Sequence, residues 1–247
     1  MTYEAEKIVP YSSGENKGAQ VEKMFDSIAE NYDTLNRTMS MRLDIGWRKK
    51  GLSMLKKQNP QTILDIATGT GDLAIQAFDI LQPQSILGID ISEGMMDVGR
   101  QKVAKAGLGD KISFEKQDCM NLQLPDDSFD AAMVAFGVRN FEDLDKGLKE
   151  ILRVLKPGGE LMILELSTPP RHFPLKQGGF WLYSKVYIPT IGRLISKDKT
   201  AYSYLPKSIE AFIQGKDMVN TLLKNGFQEA SYKTYTMGTC SMYLAKK

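Results

Sequence analysis

The stretch that most constrains this chain is ILDIATGTGD, residues 63–72, where a short apolar run meets Gly69-x-Gly71 and then a helix-forming segment. TILDIA (62–67) reads as a buried strand, and Asp72 to Leu81 has the spacing of an amphipathic helix. A glycine turn at such a junction lets backbone approach a ligand closely, since glycine accepts positive φ and carries no Cβ. The same rhythm continues downstream. SILGID (85–90) is strand-like, Glu93 to Ala106 is helical with Ser92 as N-cap, and ISFEKQD (112–118) and FDAAMVAF (129–136) are strands. Leu144 to Leu155 is a helix stopped by Pro157-Gly158-Gly159, and ELMILEL (160–166) is another strand. Repeated βα units of this length predict an α/β fold with a doubly wound, mostly parallel sheet.

The flanks carry a weaker pattern. Residues 1–20 are polar and aperiodic and are expected to form a flexible arm or a cap over a site. Val21, Met24, Phe25, Ile28 and Ala29 fall at helical spacing, as does the stretch from Trp47 to Leu55, so 21–58 is expected to be a helical cap. Residues 168–215 mix prolines, aromatics and basics and are expected to be a lid-like insertion. A helix over Lys216 to Asn225 with Gly226 as C-cap precedes strands at Gln228 to Thr236 and Thr239 to Ala245, joined by a tight turn at Met237-Gly238. Residues 21–247 are thus expected to be one domain.

Charge and cysteine content remove several classes of function. The 32 basic and 30 acidic residues leave a formal +2, too little for a global field that would draw in nucleic acid. Cys119 and Cys240 have no partners at metal-ligand spacing, so no disulfide framework and no metal site is expected. The N-terminal residues lack the apolar core of a signal peptide, and no apolar run reaches the roughly 18 residues of a span. The expected location is cytoplasmic, with peripheral contact at the inner face of the membrane left open.

Gly69-x-Gly71-x-x-Ala74, with Asp90 ending the next strand, also fits a dinucleotide-binding turn, and on that basis a dehydrogenase is tenable. The flanking acids separate the readings. Asp65 and Asp72 would stand beside a pyrophosphate, which disfavours it, whereas S-adenosylmethionine presents a sulfonium and an ammonium. Asp72 also suits a helix N-terminus by dipole alone. Asp118, closing the third strand, offers an acceptor for an adenine amino group, with the Cys119 amide as donor to the ring; Asp118 could equally be a turn residue.

These residues resemble the class I S-adenosylmethionine-dependent methyltransferases: acid-x-x-x-Gly-x-Gly at the first strand and acids ending the second and third. YDTLNRTMSMRLDIGW (32–47) and RVLKPGGELMILELS (153–167), with FGVRN (136–140), look like the signature segments of the quinone-biosynthesis C-methyltransferases. The likeness runs from about Val21 to the C-terminus. It departs at Leu35, where the family pattern has Met, and at Asp44, where it has His, which puts a catalytic role at that position in doubt. The resemblance implies a Rossmann-like, mostly parallel seven-stranded sheet with an antiparallel last strand. It implies S-adenosylmethionine as cofactor, with Asp65, Gly69, Thr70, Gly71, Asp90, Asp118 and Cys119 in its site. Thr70 is expected to face the cofactor's carboxylate, unless it merely caps a helix.

The implied reaction is C-methylation of a prenylated quinol, with demethylmenaquinol expected and a polyprenyl benzoquinol or another small molecule as alternatives. A non-catalytic, cofactor-binding partner of a quinone-synthesis assembly is a further alternative, and a homodimer is one of the arrangements left open. Alkylation of a ring carbon needs an electron-rich ring, hence a base or a positive group that stabilises the oxyanion. Arg139 and Asn140 follow the fourth strand at its C-terminal edge and are the expected catalytic pair, Arg139 toward the phenolate and Asn140 toward a quinol oxygen. Asn140 could instead start the next helix. Tyr32 is a third candidate, closing from the cap, and could equally be a packing aromatic. His172, the only histidine, sits among Pro169, Pro170, Arg171 and Pro174 and is read as a solvated loop residue. Phe180, Trp181, Tyr183 and Tyr187, interleaved with Lys185 and Arg193, suit a prenyl tail near anionic headgroups, or a helical lid packed on the sheet with its basic residues in water.

Overall fold

A computed structural model describes residues 2–169 and 199–247, with side chains of the second stretch from 203 onward. The expectations placed on His172 and on the aromatic and basic residues of 180–193 lie outside the described residues.

Five parallel strands form the centre: β1 (Thr62–Ile66), β2 (Ser85–Asp90), β3 (Ile112–Lys116), β4 (Phe129–Ala135) and β5 (Leu155–Leu166). The sheet is completed by β6 (Glu229–Tyr235) and β7 (Cys240–Lys246), in the order β3-β2-β1-β4-β5-β7-β6. The expected antiparallel last strand is β7, which runs against both β5 and β6. After β3 the chain crosses back to lay β4 beside β1, so the winding reverses between these two strands. At such a reversal the connections leave in opposite directions and open a crevice at the carboxyl ends, where ligands of open α/β sheets bind.

Helices cover both faces. On one side α7 (Leu144–Val154) buries Leu148, Ile151 and Val154 against the sheet. On the other, α4 (Leu43–Leu55) and α5 (Asp72–Leu81) bury Trp47, Leu52, Leu55, Leu73 and Ala77. Between them in the chain, α6 (Glu93–Lys105) is capped by Ser92, whose Oγ accepts from Met95 N at 3.2 Å. Above the carboxyl edge, α2 (Lys17–Ile28) and α3 (Tyr32–Met39) form a smaller core of Met24, Ile28, Leu35 and Met39. Tyr204 of α8 (Lys199–Ala211) closes it. The helix α9 (Lys216–Lys224) precedes β6.

Two local expectations are corrected. Pro157-Gly158-Gly159 does not separate helix from strand, because β5 begins at Leu155 and runs through it, with an irregular register opposite Phe129 and Ala131. Gly158 takes φ +79° there, and the Gly159 backbone passes so close to the Asp130 carbonyl that a Cβ would lie 3.0 Å from it. The N-terminal residues are not a loose arm. Glu4–Lys7 form a short helix α1, Ala5 is buried, and the Tyr3 hydroxyl donates to Asp145 Oδ1 at 2.8 Å.

Gly71, the N-cap of α5, has φ +72°, and a Cβ on it would meet Phe114 Cζ at 2.9 Å. Gly71→Ala is therefore expected to destabilise the fold by about 1–3 kcal/mol, from left-handed strain plus overpacking. Urea unfolding checks it, and an unchanged midpoint would contradict the close packing of this turn against β3.

Candidate active site

A cavity of about 580 Å³ opens at the carboxyl edge over the crevice between β1 and β4. Its floor holds Gly69, Asp90, Asp118 and Cys119, its far wall Phe136, Gly137 and Asn140, and its roof Phe25 and Tyr32 of the cap. Thus Tyr32, Gly69, Asp90, Asp118, Cys119 and Asn140, expected from the sequence, come together. Asp65, Thr70, Gly71 and Arg139 do not line it.

Asp90 is the most constrained group. Its Oδ2 accepts from Gly69 N at 2.8 Å and its Oδ1 from Ser92 N at 2.9 Å, which pins the glycine turn to the end of β2. Each oxygen keeps a lone pair for a ligand, an arrangement suited to two neighbouring hydroxyls. Burial, the larger influence, raises the Asp90 carboxyl to about 6 against these amide bonds. Asp118 accepts from Met120 N at 2.9 Å, a turn contact that leaves acceptor capacity on the carboxylate. Burial also raises the Cys119 thiol well above its ordinary range, so it stays protonated and offers its backbone rather than a thiolate.

The four remaining residues take other roles. Asp65 is fully buried beneath the turn and accepts from Thr68 Oγ1 at 2.6 Å, while its Oδ1 has no partner. Burial pushes it up to about 7. Thr70 neither faces the cavity nor caps a helix: its hydroxyl donates to Asp33 Oδ1 at 2.6 Å. Gly71 is the helix N-cap already described, and Arg139 is held in an ion pair beneath the cavity wall. Asp72, expected as an attractive charge for a cationic ligand, is instead paired with Arg37 at 3.0 Å, Arg48 at 3.3 Å and Lys102. Asp33 joins this cluster through Lys102 at 2.7 Å, tying the cap to the glycine turn. Asp44, at the position where a histidine was expected, accepts from Ser40 Oγ at 2.6 Å and Arg48 Nη1 at 2.9 Å. It balances Arg48 and does not line the cavity.

Arg139 is 6% exposed, and its guanidinium goes to Glu165 Oε1 at 2.7 Å and to the Phe136 carbonyl. The expected contact with a phenolate gives way to an internal ion pair that fixes the turn Val138–Asn140. Asn140 caps no helix, since Asp143 is the N-cap of α7. Its Oδ1 accepts from the Tyr204 hydroxyl at 3.0 Å, and no hydrogen bond among the described residues uses its Nδ2. A donor therefore remains at the cavity wall. Tyr32 packs edge to face on Phe25, with ring centroids 5.9 Å apart, and burial raises its phenol, so at neutral pH it too is a donor.

Sequence reasoning missed Tyr204 and the N-terminal contacts. Lys17 is buried and donates to the carbonyls of Ala5, Arg139 and Phe141 at 2.7, 3.2 and 3.1 Å. Burial lowers its ammonium to about 8. Gly18 N donates to Glu142 Oε2 at 3.1 Å and Leu144 N to Glu6 Oε1 at 2.9 Å. The N-terminus thus clips the turn that carries Asn140. Helical spacing hinted at none of this, because the contacts are polar and distant in the chain.

The cavity as a whole is acidic. Asp90, Asp118, Glu22 and Glu142 line it, and Lys116, the one lining base among the described residues, is paired with Glu22 at 2.6 Å. That field suits a ligand bearing sulfonium and ammonium groups and opposes a pyrophosphate. At Gly69 φ is +54° and a Cβ would lie 3.1 Å from Met95 Cε, so glycine keeps this backbone open to close approach. The residues present fit S-adenosylmethionine.

The chain is 56% identical over 247 residues, all of both chains, to a protein of Bacteroides fragilis named demethylmenaquinone methyltransferase. It is 40% identical over 232 residues, 94% of this chain and 97% of the relative, to a Geotalea daltonii protein named ubiquinone/menaquinone biosynthesis C-methyltransferase UbiE. A crystal structure of an S-adenosylmethionine-dependent methyltransferase from Aquifex aeolicus superposes with TM-score 0.55 at 20% identity, covering 75% of this chain and 81% of that one, a likeness of fold. Residues 13–247 match the model of one family, and with the whole-length identities this places the chain plainly: it belongs to the ubiE/COQ5 methyltransferase family.

Proposed function

We propose that this protein transfers a methyl group from S-adenosylmethionine to a ring carbon of a prenylated quinol, with demethylmenaquinol as the substrate. The observation that carries the reading is the 56% identity, end to end, with the Bacteroides fragilis demethylmenaquinone methyltransferase. A polyprenyl benzoquinol is the second reading, favoured by the Geotalea daltonii relative whose name spans both pathways. The substrate is drawn from a membrane surface, and no helix among the described residues is long and apolar enough to cross a membrane.

Asp90 would hold the ribose hydroxyls, Asp118 the adenine amino group, and Gly69 would let the backbone close on the methionine part. Bound there, S-adenosylmethionine supplies a methyl group already activated by sulfonium. The chain's own contribution is alignment and charge. Phe25, Tyr32 and Phe136 enclose an apolar ring, and the Asn140 Nδ2 and Tyr32 hydroxyl donate to the quinol oxygen as its proton passes to water. Once the carbon–carbon bond has formed, the methylated ring carbon gives its own hydrogen to water as a proton, which restores the aromatic ring. Losing the hydroxyl proton enriches the neighbouring ring carbon in electron density, and donors already aimed at the developing negative charge stabilise the oxyanion, so that more of it is present at neutral pH, without reorganising during the step. Arg139 acts at one remove, by fixing the turn that presents Asn140.

Quinone profiling of a strain lacking the gene tests the substrate. Accumulated demethylmenaquinone supports the proposal, and an accumulated unmethylated benzoquinone overturns it in favour of the second reading. For the site, Asn140→Ala is expected to lower kcat about 10²-fold, the size of one oxyanion donor. Calorimetry should then find affinity for S-adenosylhomocysteine within about twofold of the parent. A matched loss in both would remove Asn140 from the chemical step.

A further inference from the structure

Helix α4 carries a face that neither the core nor the cavity uses. Its inner side seats Trp47, Leu52 and Leu55 on the sheet, with Gly51 against Met162. Its outer side exposes Arg42, just before the helix, then Lys49 and Lys50, with Lys56 and Lys57 immediately after. Asp44 is the one acid in residues 40–58, and it is buried on Arg48. The outer face therefore presents five positive charges and no negative one, in a chain whose overall charge nearly cancels. Among the described residues none of these five makes an ion pair; Lys50 lies over the Tyr235 ring at 5.2 Å.

Apolar side chains accompany the charges. Met41 is 65% exposed at the start of the helix, and Met237 is 65% exposed on the turn Thr236–Gly238. That turn is held to α4 by the Trp47 Nε1 to Thr236 Oγ1 hydrogen bond of 2.9 Å. Two unbranched, exposed apolar side chains thus flank a basic helix lying along the surface.

We propose that this face, the outer side of α4 with Met41 and Met237, docks on the anionic surface of a phospholipid bilayer. Lysines lie flat along such a surface with their ammonium groups among headgroups, while methionines enter the acyl boundary. Exposed methionines gain nothing from a nucleic-acid backbone, so the mixture favours lipid. Placement agrees: Trp47 and Arg48, on the inner side of α4, pack against Phe136, which lines the cavity. A bilayer on the outer face would lie about 10 Å, one helix diameter, from the cavity wall. The proposal rests on the reading that the substrate is prenylated.

The test is sedimentation of the full-length protein with vesicles of phosphatidylcholine, with and without phosphatidylglycerol. The protein should partition into the anionic vesicles and leave them at about 0.5 M salt. Lys49→Glu with Lys50→Glu should cut the partition coefficient at least about tenfold, whereas Lys105→Glu with Lys111→Glu, the same charge change elsewhere, should leave it within about twofold. Equal losses in the two pairs, or no preference of the parent for anionic vesicles, would overturn the proposal. So would tighter binding to a duplex oligonucleotide with the same dependence on Lys49 and Lys50. Calorimetry with S-adenosylhomocysteine and methylation of a short-chain, water-soluble demethylmenaquinol in vesicle-free buffer should be the same for the Lys49/Lys50 variant and the parent. Failure of that soluble assay in both proteins would sink the functional reading while vesicle partition still reports on α4.

Discussion

Asp90→Ala is expected to weaken binding of S-adenosylhomocysteine by at least about 10²-fold, because two hydroxyl bonds to a charged acceptor disappear, each worth about 1.5–3 kcal/mol. The same change frees the Gly69 and Ser92 amides, so the glycine turn loses its anchor along with the ligand. Asp90→Asn, of the same shape, separates charge from structure. Burial raises the free Asp90 carboxyl to about 6, and ligand binding favours the ionised form as acceptor. Affinity should therefore be flat above about pH 7 and fall as pH drops through 6, by at most about tenfold per unit for one proton. Calorimetry from pH 5 to 8 reads this directly. In Asp90→Asn the dependence should vanish, while in Asp65→Asn it should persist, since Asp65 titrates near 7 but does not line the cavity. A pH profile unchanged in Asp90→Asn would remove Asp90 from the cofactor site.

Much of this site is legible in the sequence because strand ends announce themselves. Runs such as 63–66, apolar but for Asp65, and 131–134 are wholly buried, and residues at their ends must sit on the sheet edge. Asp90, Asp118 and Asn140 can be found for that reason. Charge pairing cannot. Asp72 stands beside Gly71, which suggests a ligand contact, yet its partners Arg37, Arg48 and Lys102 lie 35, 24 and 30 residues away in the chain. With Asp33 and Asp44 they make a cluster of three acids and three bases, and a neutralised acid attracts no cofactor. The attraction for a cationic ligand comes instead from the acids that line the cavity, Asp90 and Asp118 among them. The order of the N-terminal residues is hidden for a related cause: Lys17, Glu6 and Tyr3 fix the segment through single long-range polar contacts, which leave no periodic trace.

Glu165→Ala is expected to be the most damaging single change to the fold outside the hydrophobic core. Glu165 is 1% exposed and takes the Arg139 guanidinium, the Arg139 amide at 3.3 Å and the Leu166 amide at 2.8 Å. Removing it strands a buried cation, a loss of about 3–5 kcal/mol. In a domain of this size that lowers Tm by roughly 6–20 °C. Replacing both partners with apolar residues of similar volume, Arg139→Met with Glu165→Leu, should recover most of the loss, because no charge is then left unpaired. The double variant also decides what Arg139 does. If it acts only by holding the Val138–Asn140 turn, a refolded double variant keeps kcat within about tenfold of the parent, less than the loss from one missing oxyanion donor. If the double variant regains its Tm but loses turnover by far more, with affinity for S-adenosylhomocysteine intact, the guanidinium itself reaches the substrate during the reaction, as its place after β4 first suggested.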